Sequence, residues 1–151
     1  MRFRRFYLLL LAIGVSLFAL SCAGPSTSPK AGLNIVAMTG TQPGSVTFTI
    51  GVKNTGTATE RLTFGSSQFF EIEVRNVSGH LVWQFSAGKY FLDLLWGFDL
   101  APGESSQVQE TVWDLKGNDG DLVPPGLYNA TVYITNSPRN EDLSTVIRLT
   151  I

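Results

Sequence analysis

The chain has 151 residues, of which 44% are hydrophobic and 15% charged, with a formal net charge of −1 and one cysteine. A near-neutral chain with no basic stripe excludes nucleic acid as a partner, and one cysteine excludes an internal disulfide framework. The length suits a single domain.

At the start, Arg2, Arg4 and Arg5 precede an apolar run from Phe6 to Leu20, which ends at Ser21-Cys22. A basic start, an apolar run of secretory length and a small residue before the cut predict a signal peptide over residues 1–21. The run is short of the roughly 20 residues that a membrane span needs. Although Arg4 and Arg5 are paired as in twin-arginine signals, the strongly apolar run suits the general secretory route. Ala19-Leu20-Ser21-Cys22 resembles the lipobox of bacterial lipoproteins, with Ala19 where leucine most often stands. That resemblance implies a diacylglyceryl thioether on Cys22, which becomes the new N-terminus and whose two acyl chains give durable attachment. The expected address is the cell envelope, exported and lipid-anchored. In an organism with two membranes, Ala23 replaces the aspartate that commonly retains lipoproteins on the inner membrane, so the outer membrane is expected.

Residues 22–32 comprise the lipidated cysteine and a tether, because Ala23 to Gly32 is small, polar and proline-bearing and cannot build a core. Residues 33–151 form the domain. Three of the 11 Lys+Arg lie in the signal and none of the 12 Asp+Glu, so the mature chain holds 8 basic against 12 acidic residues. A chain of this size buries roughly two-thirds of its unfolded surface, enough for a core without cross-links.

Period-two alternation then runs along the domain. Val46, Phe48, Ile50 and Val52 face one way and Thr47 and Thr49 the other. Phe70, Ile72 and Val74 lie opposite Glu71, Glu73 and Arg75, and Leu81, Trp83 and Phe85 opposite Val82 and Gln84, with Ser78-Gly79 as the hairpin turn between them. Gln107 to Trp113 breaks parity, which predicts a β-bulge. Leu127 to Thr135 and Leu143 to Ile151 repeat the strand pattern. Turn chemistry recurs at Asn54-Thr55-Gly56, Pro102-Gly103, Asn118-Asp119-Gly120 and Pro124-Pro125-Gly126. The whole predicts an all-β, immunoglobulin-like antiparallel β-sandwich of eight or nine strands.

Reaction chemistry is hard to find in this pattern. His80 follows the turn glycine Gly79 and reads as a solvated turn residue rather than a base or ligand. Asp114 to Asp121 superficially suggests a calcium loop, but its carboxylates do not alternate before the glycine and no bidentate glutamate follows. Glu71 and Glu73, about 7 Å apart on one strand face, read as a solvated pair rather than a catalytic one. Asn76-Val77-Ser78 and Asn129-Ala130-Thr131 match glycosylation acceptors that a bacterial lipoprotein would not normally use. No enzyme activity, metal or cofactor is expected. Seven aromatics from Trp83 to Trp113 crowd together; most should fill the space between sheets, with Tyr90 and Trp96 as exceptions in an exposed partner-binding loop.

Several of these residues recur together as a pattern. Ser66-Ser67-Gln68-Phe69-Phe70-Glu71-Ile72, Val82 to Phe91 with its W-x-F-S-x-G-K core, Leu100 to Glu104, Trp113-Asp114 and Pro124-Pro125-Gly126-Leu127-Tyr128 resemble the BsuPI family, named for an intracellular proteinase inhibitor. Ser67 stands where the family usually has glycine. The resemblance implies an immunoglobulin-like sandwich and raises inhibition of a subtilisin-type serine protease. An inhibitor needs a stiff exposed segment; Gly117 to Gly126, with Pro124 and Pro125, is the first choice and Ser86 to Tyr90, with Lys89 and Tyr90, the second. The leading expectation is a non-catalytic envelope lipoprotein that binds a protein partner, with protease inhibition as the alternative.

Overall fold

In the computed structural model, which describes residues 32–138 and 143–151, nine strands and no helix are found among the described residues. The expected signal peptide, the lipidation site Cys22 and the tether up to residue 31 lie outside them. The strands are β1 (Leu33–Gln42), β2 (Ser45–Asn54), β3 (Glu60–Ser66), β4 (Phe70–Asn76), β5 (Leu81–Gln84), β6 (Asp93–Leu100), β7 (Gln109–Trp113), β8 (Leu127–Ile134) and β9 (Ser144–Thr150).

These strands make a three-stranded sheet ordered β1-β2-β7, a four-stranded sheet ordered β5-β4-β8-β9 and a ribbon of β3 with β6. Every pairing is antiparallel. The two larger sheets close on each other through aromatic contacts. Phe48 of β2 stacks on Trp83 of β5 with ring centroids 6.3 Å apart, Trp83 stacks on Trp113 of β7 at 5.6 Å, and Trp113 meets Tyr128 of β8 edge-on at 6.4 Å.

The alternation maps directly onto this sandwich. Val46, Phe48, Ile50 and Val52 of β2 are buried, as are Phe70, Ile72 and Val74 of β4 and Tyr128, Ala130, Val132 and Ile134 of β8. One face of each central strand therefore supplies the core, at about 2 kcal/mol per fully buried large aliphatic side chain. Between β4 and β5, Asn76 Oδ1 accepts hydrogen bonds from the backbone N–H groups of Ser78 and His80, both at 3.0 Å. Gly79, at φ 82°, takes the left-handed conformation that this turn requires.

The predicted bulge falls at the start of Gln107 to Trp113: Ile50 pairs with Gln109 but Lys53 with Ser105, so Ser106, Gln107 and Val108 stand against only Gly51 and Val52. β7 pairs with β2 in unbroken register, from Val46 opposite Trp113 to Ile50 opposite Gln109. Trp113 simply belongs to the inward parity, and Val108 and Val112 are exposed apolar residues. Further register shifts lie between Phe64 and Ser66 of β3 and between Val74 and Arg75 of β4.

A buried polar hinge ties the ribbon to the sandwich. Asn54, fully buried, donates through Nδ2 to the carbonyls of Ala58 and Leu100 at 2.7 and 2.8 Å. Its Oδ1 accepts from Gly56 N–H at 2.9 Å. The Asn54-Thr55-Gly56 turn is thus fixed to the end of β6 by one side chain.

Candidate functional site

The connection from β5 to β6 carries the W-x-F-S-x-G-K residues, and its shape is set by a buried carboxylate. Glu71 of β4 is only 4% exposed. Its Oε1 accepts the backbone N–H of Ile72 at 2.9 Å and that of Ser86 at 3.1 Å. Oε2 accepts Nε2 of Gln68 at 3.1 Å and Nε2 of Gln84 at 3.3 Å. Four donors thus converge on one carboxylate, which is how a buried charge is made tolerable.

This corrects the expectation of a solvated Glu71–Glu73 pair. Both residues do share a face of β4, but the Gln84 to Lys89 turn folds over Glu71, while Glu73 stays partly exposed and pairs with Arg75 at 2.8 Å. Strand periodicity finds the face and is blind to the loop that covers it. The available signal was the amides at Gln68 and Gln84, neutral donors flanking the carboxylate in sequence and across the hairpin.

Beyond Glu71 the connection is ordered stepwise. Ala87 N–H donates to Gln84 O at 3.1 Å and Lys89 N–H to Ser86 O at 3.0 Å. Gly88 sits at φ 70°, a turn position that favours glycine. The Phe85 ring lies 4.5 Å from Phe70 and 6.2 Å from Phe91, and the Lys89 ammonium rests 3.3 Å from its centroid, a cation–π contact. Partial burial pulls the Lys89 pKa below the ordinary lysine value, and the Glu71 charge opposes that shift.

At its far end the segment is held by the residue that departs from the family pattern. Ser67 N–H donates to Leu92 O at 2.9 Å, and Leu92 N–H donates to Ser67 Oγ at 2.9 Å. Glycine could supply the first bond but not the second. Between the two anchors Tyr90 is fully exposed, at 101%, and is followed by exposed Leu92, Leu94 and Leu95.

The remaining sequence candidates lie differently. Trp96 is not on a loop: it is a partly buried β6 residue, stacked on Phe64 at 4.3 Å with its Nε1 donating to Ser66 O at 2.6 Å. Its alternation with Phe98 and Leu100 turns it inward. Pro124 and Pro125 are exposed, but their connection is not a free extended segment. It folds as a small hairpin in which Val123 N–H donates to Leu115 O and Gly117 N–H to Asp121 O, both at 2.8 Å. The hairpin leans on β5 through Asn118 N–H to Val82 O at 3.0 Å. Tyr128 OH pins the Pro124 carbonyl at 2.6 Å. The fold thus gathers Lys89 and Tyr90 on one segment, with Trp96 beneath its continuation, and leaves the two prolines elsewhere.

His80 is exposed and borders a cleft of about 350 Å³ with Leu81, Asn118 and Asp121. No group of three or more His, Cys, Asp or Glu side chains suited to a metal occurs among the described residues. Asp114 is engaged by Lys116 at 3.1 Å, and Asp119 Oδ1 accepts Asp121 N–H.

The same residues carry the match to known proteins. The model of the family described as BsuPI, intracellular proteinase inhibitor, matches residues 33–139. The chain belongs to the BsuPI family. The match spans β1 to β8 and so includes both anchors of the Tyr90 segment. No curated protein matches this BsuPI chain in sequence.

Among solved structures, a β-glucosidase of Kluyveromyces marxianus is 18% identical with a TM-score of 0.42, over 82% of this chain and 14% of that one. β-Glucosidase 3B of Thermotoga neapolitana, in complex with glucose, is 18% identical with a TM-score of 0.40, over 80% and 16%. The alkylpurine DNA glycosylase AlkC of Pseudomonas fluorescens, bound to DNA containing an abasic site analog, is 15% identical with a TM-score of 0.41, over 81% and 31%. The BsuPI chain spans less than a third of the length of each.

Proposed function

We propose that this protein is a non-catalytic protein-binding module, displayed at the cell envelope by a lipid on Cys22, whose binding face is the Ser86 to Leu95 segment. The observation that carries the reading is the pairing of a fully exposed Tyr90 with hydrogen-bonded anchors on both sides of it. An exposed aromatic on a preordered backbone supplies contact area without the ordering cost that a mobile loop incurs on binding. The mature chain's excess of acidic residues disfavours nucleic acid as the partner.

A photoreactive phenylalanine placed at Tyr90, compared with one at the exposed Val146 of β9, tests the face in intact cells. The expected result is a discrete protein adduct from position 90 and none from 146. Equal labelling, or no protein adduct from either, would contradict the assignment.

The family match supports a second, narrower reading, proteinase inhibition, for which we take a subtilisin-type serine protease as the target. With a lipid-anchored, exported chain, the target would be an exported protease and not a cytoplasmic one.

A further inference from the structure

The geometry points to Lys89 to Leu92 as a substrate-like segment that binds in a protease cleft, with Tyr90 as the side chain that fills the primary specificity pocket. This rests on the inhibitor reading and names its contact residue and the class of its target: a serine protease whose primary pocket accepts a large aromatic side chain.

The first observation is conformational. After the turn that closes at Lys89, residues 89–92 have no regular secondary structure and run into β6. Among the described residues no hydrogen bond engages the backbone of Tyr90 or Phe91. Their N–H and C=O groups are therefore free to pair with an extended cleft, as strand-adding ligands do.

The second is fixation at both ends. Upstream, Ser86 is held by Glu71 and Lys89 by the Ser86 carbonyl and the Phe85 ring. Downstream, Leu92 exchanges two hydrogen bonds with Ser67. Phe91 turns inward against Phe85 at 6.2 Å, and its neighbour Tyr90 is the most exposed large side chain of the segment, ahead of Leu92. A segment held this way fits the cleft without reordering, and its ends stay in place if a protease begins to attack it. That separates a slow inhibitor from a substrate.

The competing loop lacks these properties. In Gly117 to Gly126 the N–H groups of Gly117, Asn118, Gly120, Val123 and Gly126 are already engaged, and the two prolines remove donors that a cleft would pair.

The test measures inhibition of subtilisin, chymotrypsin and trypsin by the full chain, with wild type, Tyr90→Ala and Tyr90→Lys in parallel. Inhibition of subtilisin and chymotrypsin but not trypsin is expected. Tyr90→Ala should weaken it by about 30-fold or more, the loss typical of an anchor residue, and Tyr90→Lys should transfer inhibition to trypsin. Position 90 is fully exposed, so these variants fold, which circular dichroism checks. If wild type inhibits while both Tyr90 variants behave identically to it, the contact residue is wrong and the inhibitor reading survives. Rapid cleavage after Tyr90 with no lasting inhibition, or inhibition of none of the three enzymes, overturns the inference, and the second outcome removes the inhibitor reading too. The photo-cross-linking result then stands independently.

Discussion

Glu71 ties the start of the proposed binding face to the sandwich, since one carboxylate accepts donors from Gln68, Ile72, Gln84 and Ser86. Glu71→Ala should cost about 3–5 kcal/mol, because it strands four donors in a buried site. Glu71→Gln keeps one acceptor and should cost about 1–3 kcal/mol; urea unfolding of both variants checks the order. Equal stability of the two would mean that the carboxylate is not the organising group. Sequence reading placed Glu71 on the correct face and in the wrong environment, because alternation reports which side of a sheet a residue points to and carries nothing about a loop that later folds over it. Tyr90 was legible for a simpler reason: it stands beside a turn glycine where alternation fails.

Lys89 gives a pH signature of known sign. Burial lowers its folded-state pKa below the unfolded value, against the smaller pull of Glu71. The unfolded chain therefore holds the proton more tightly over the interval between the two values, and stability from this group rises as pH climbs through it. Wild type should gain stability relative to Lys89→Met between neutral pH and the ordinary lysine range. Parallel curves for the two proteins in denaturant titrations would show that the ammonium is not desolvated.

Among the elements, the β3–β6 ribbon was the least legible. Its β6 sequence, Asp93 to Leu100, places Leu94 and Leu95 both in solvent, so no clean period of two marks it. Its packing is instead aromatic, with Phe64 stacked on Trp96 at 4.3 Å and on Phe98 at 6.0 Å. Gly97 permits the close approach of the two strands: a Cβ there would stand 2.4 Å from the Leu62 carbonyl oxygen. Gly97→Ala should therefore separate the ribbon and destabilise the domain by about 1–3 kcal/mol. Thermal melts measure it, and an unchanged melting temperature would mean that the ribbon yields freely. By contrast, β2, β4 and β8 were readable because both ends of each alternation meet a sheet partner. The parity break before Trp113 did mark a bulge, because one extra residue between Ser105 and Gln109 shifts the pairing with β2.

At the scale of the whole molecule, stability comes from packing between two sheets, with Trp83 between Phe48 and Trp113 at the centre. Trp83→Ala should cost about 3–5 kcal/mol. Cys22 and the signal ahead of it are proposed to supply only address and anchor. Cys22→Ser should abolish lipid labelling and release the protein from membranes without moving its melting temperature; continued membrane attachment would remove the anchor from the proposal.

The Tyr90 face depends on a segment ordered before any partner arrives. Amide hydrogen exchange of the free protein, read by nuclear magnetic resonance, measures that order at Ser86 and Leu92. Both amides should be protected in wild type, with Ser86 losing protection in Glu71→Ala, which removes its acceptor, and Leu92 losing it in Ser67→Gly. Exchange of both amides in wild type at the rate of an unstructured peptide would contradict the preordered segment and the binding face built on it.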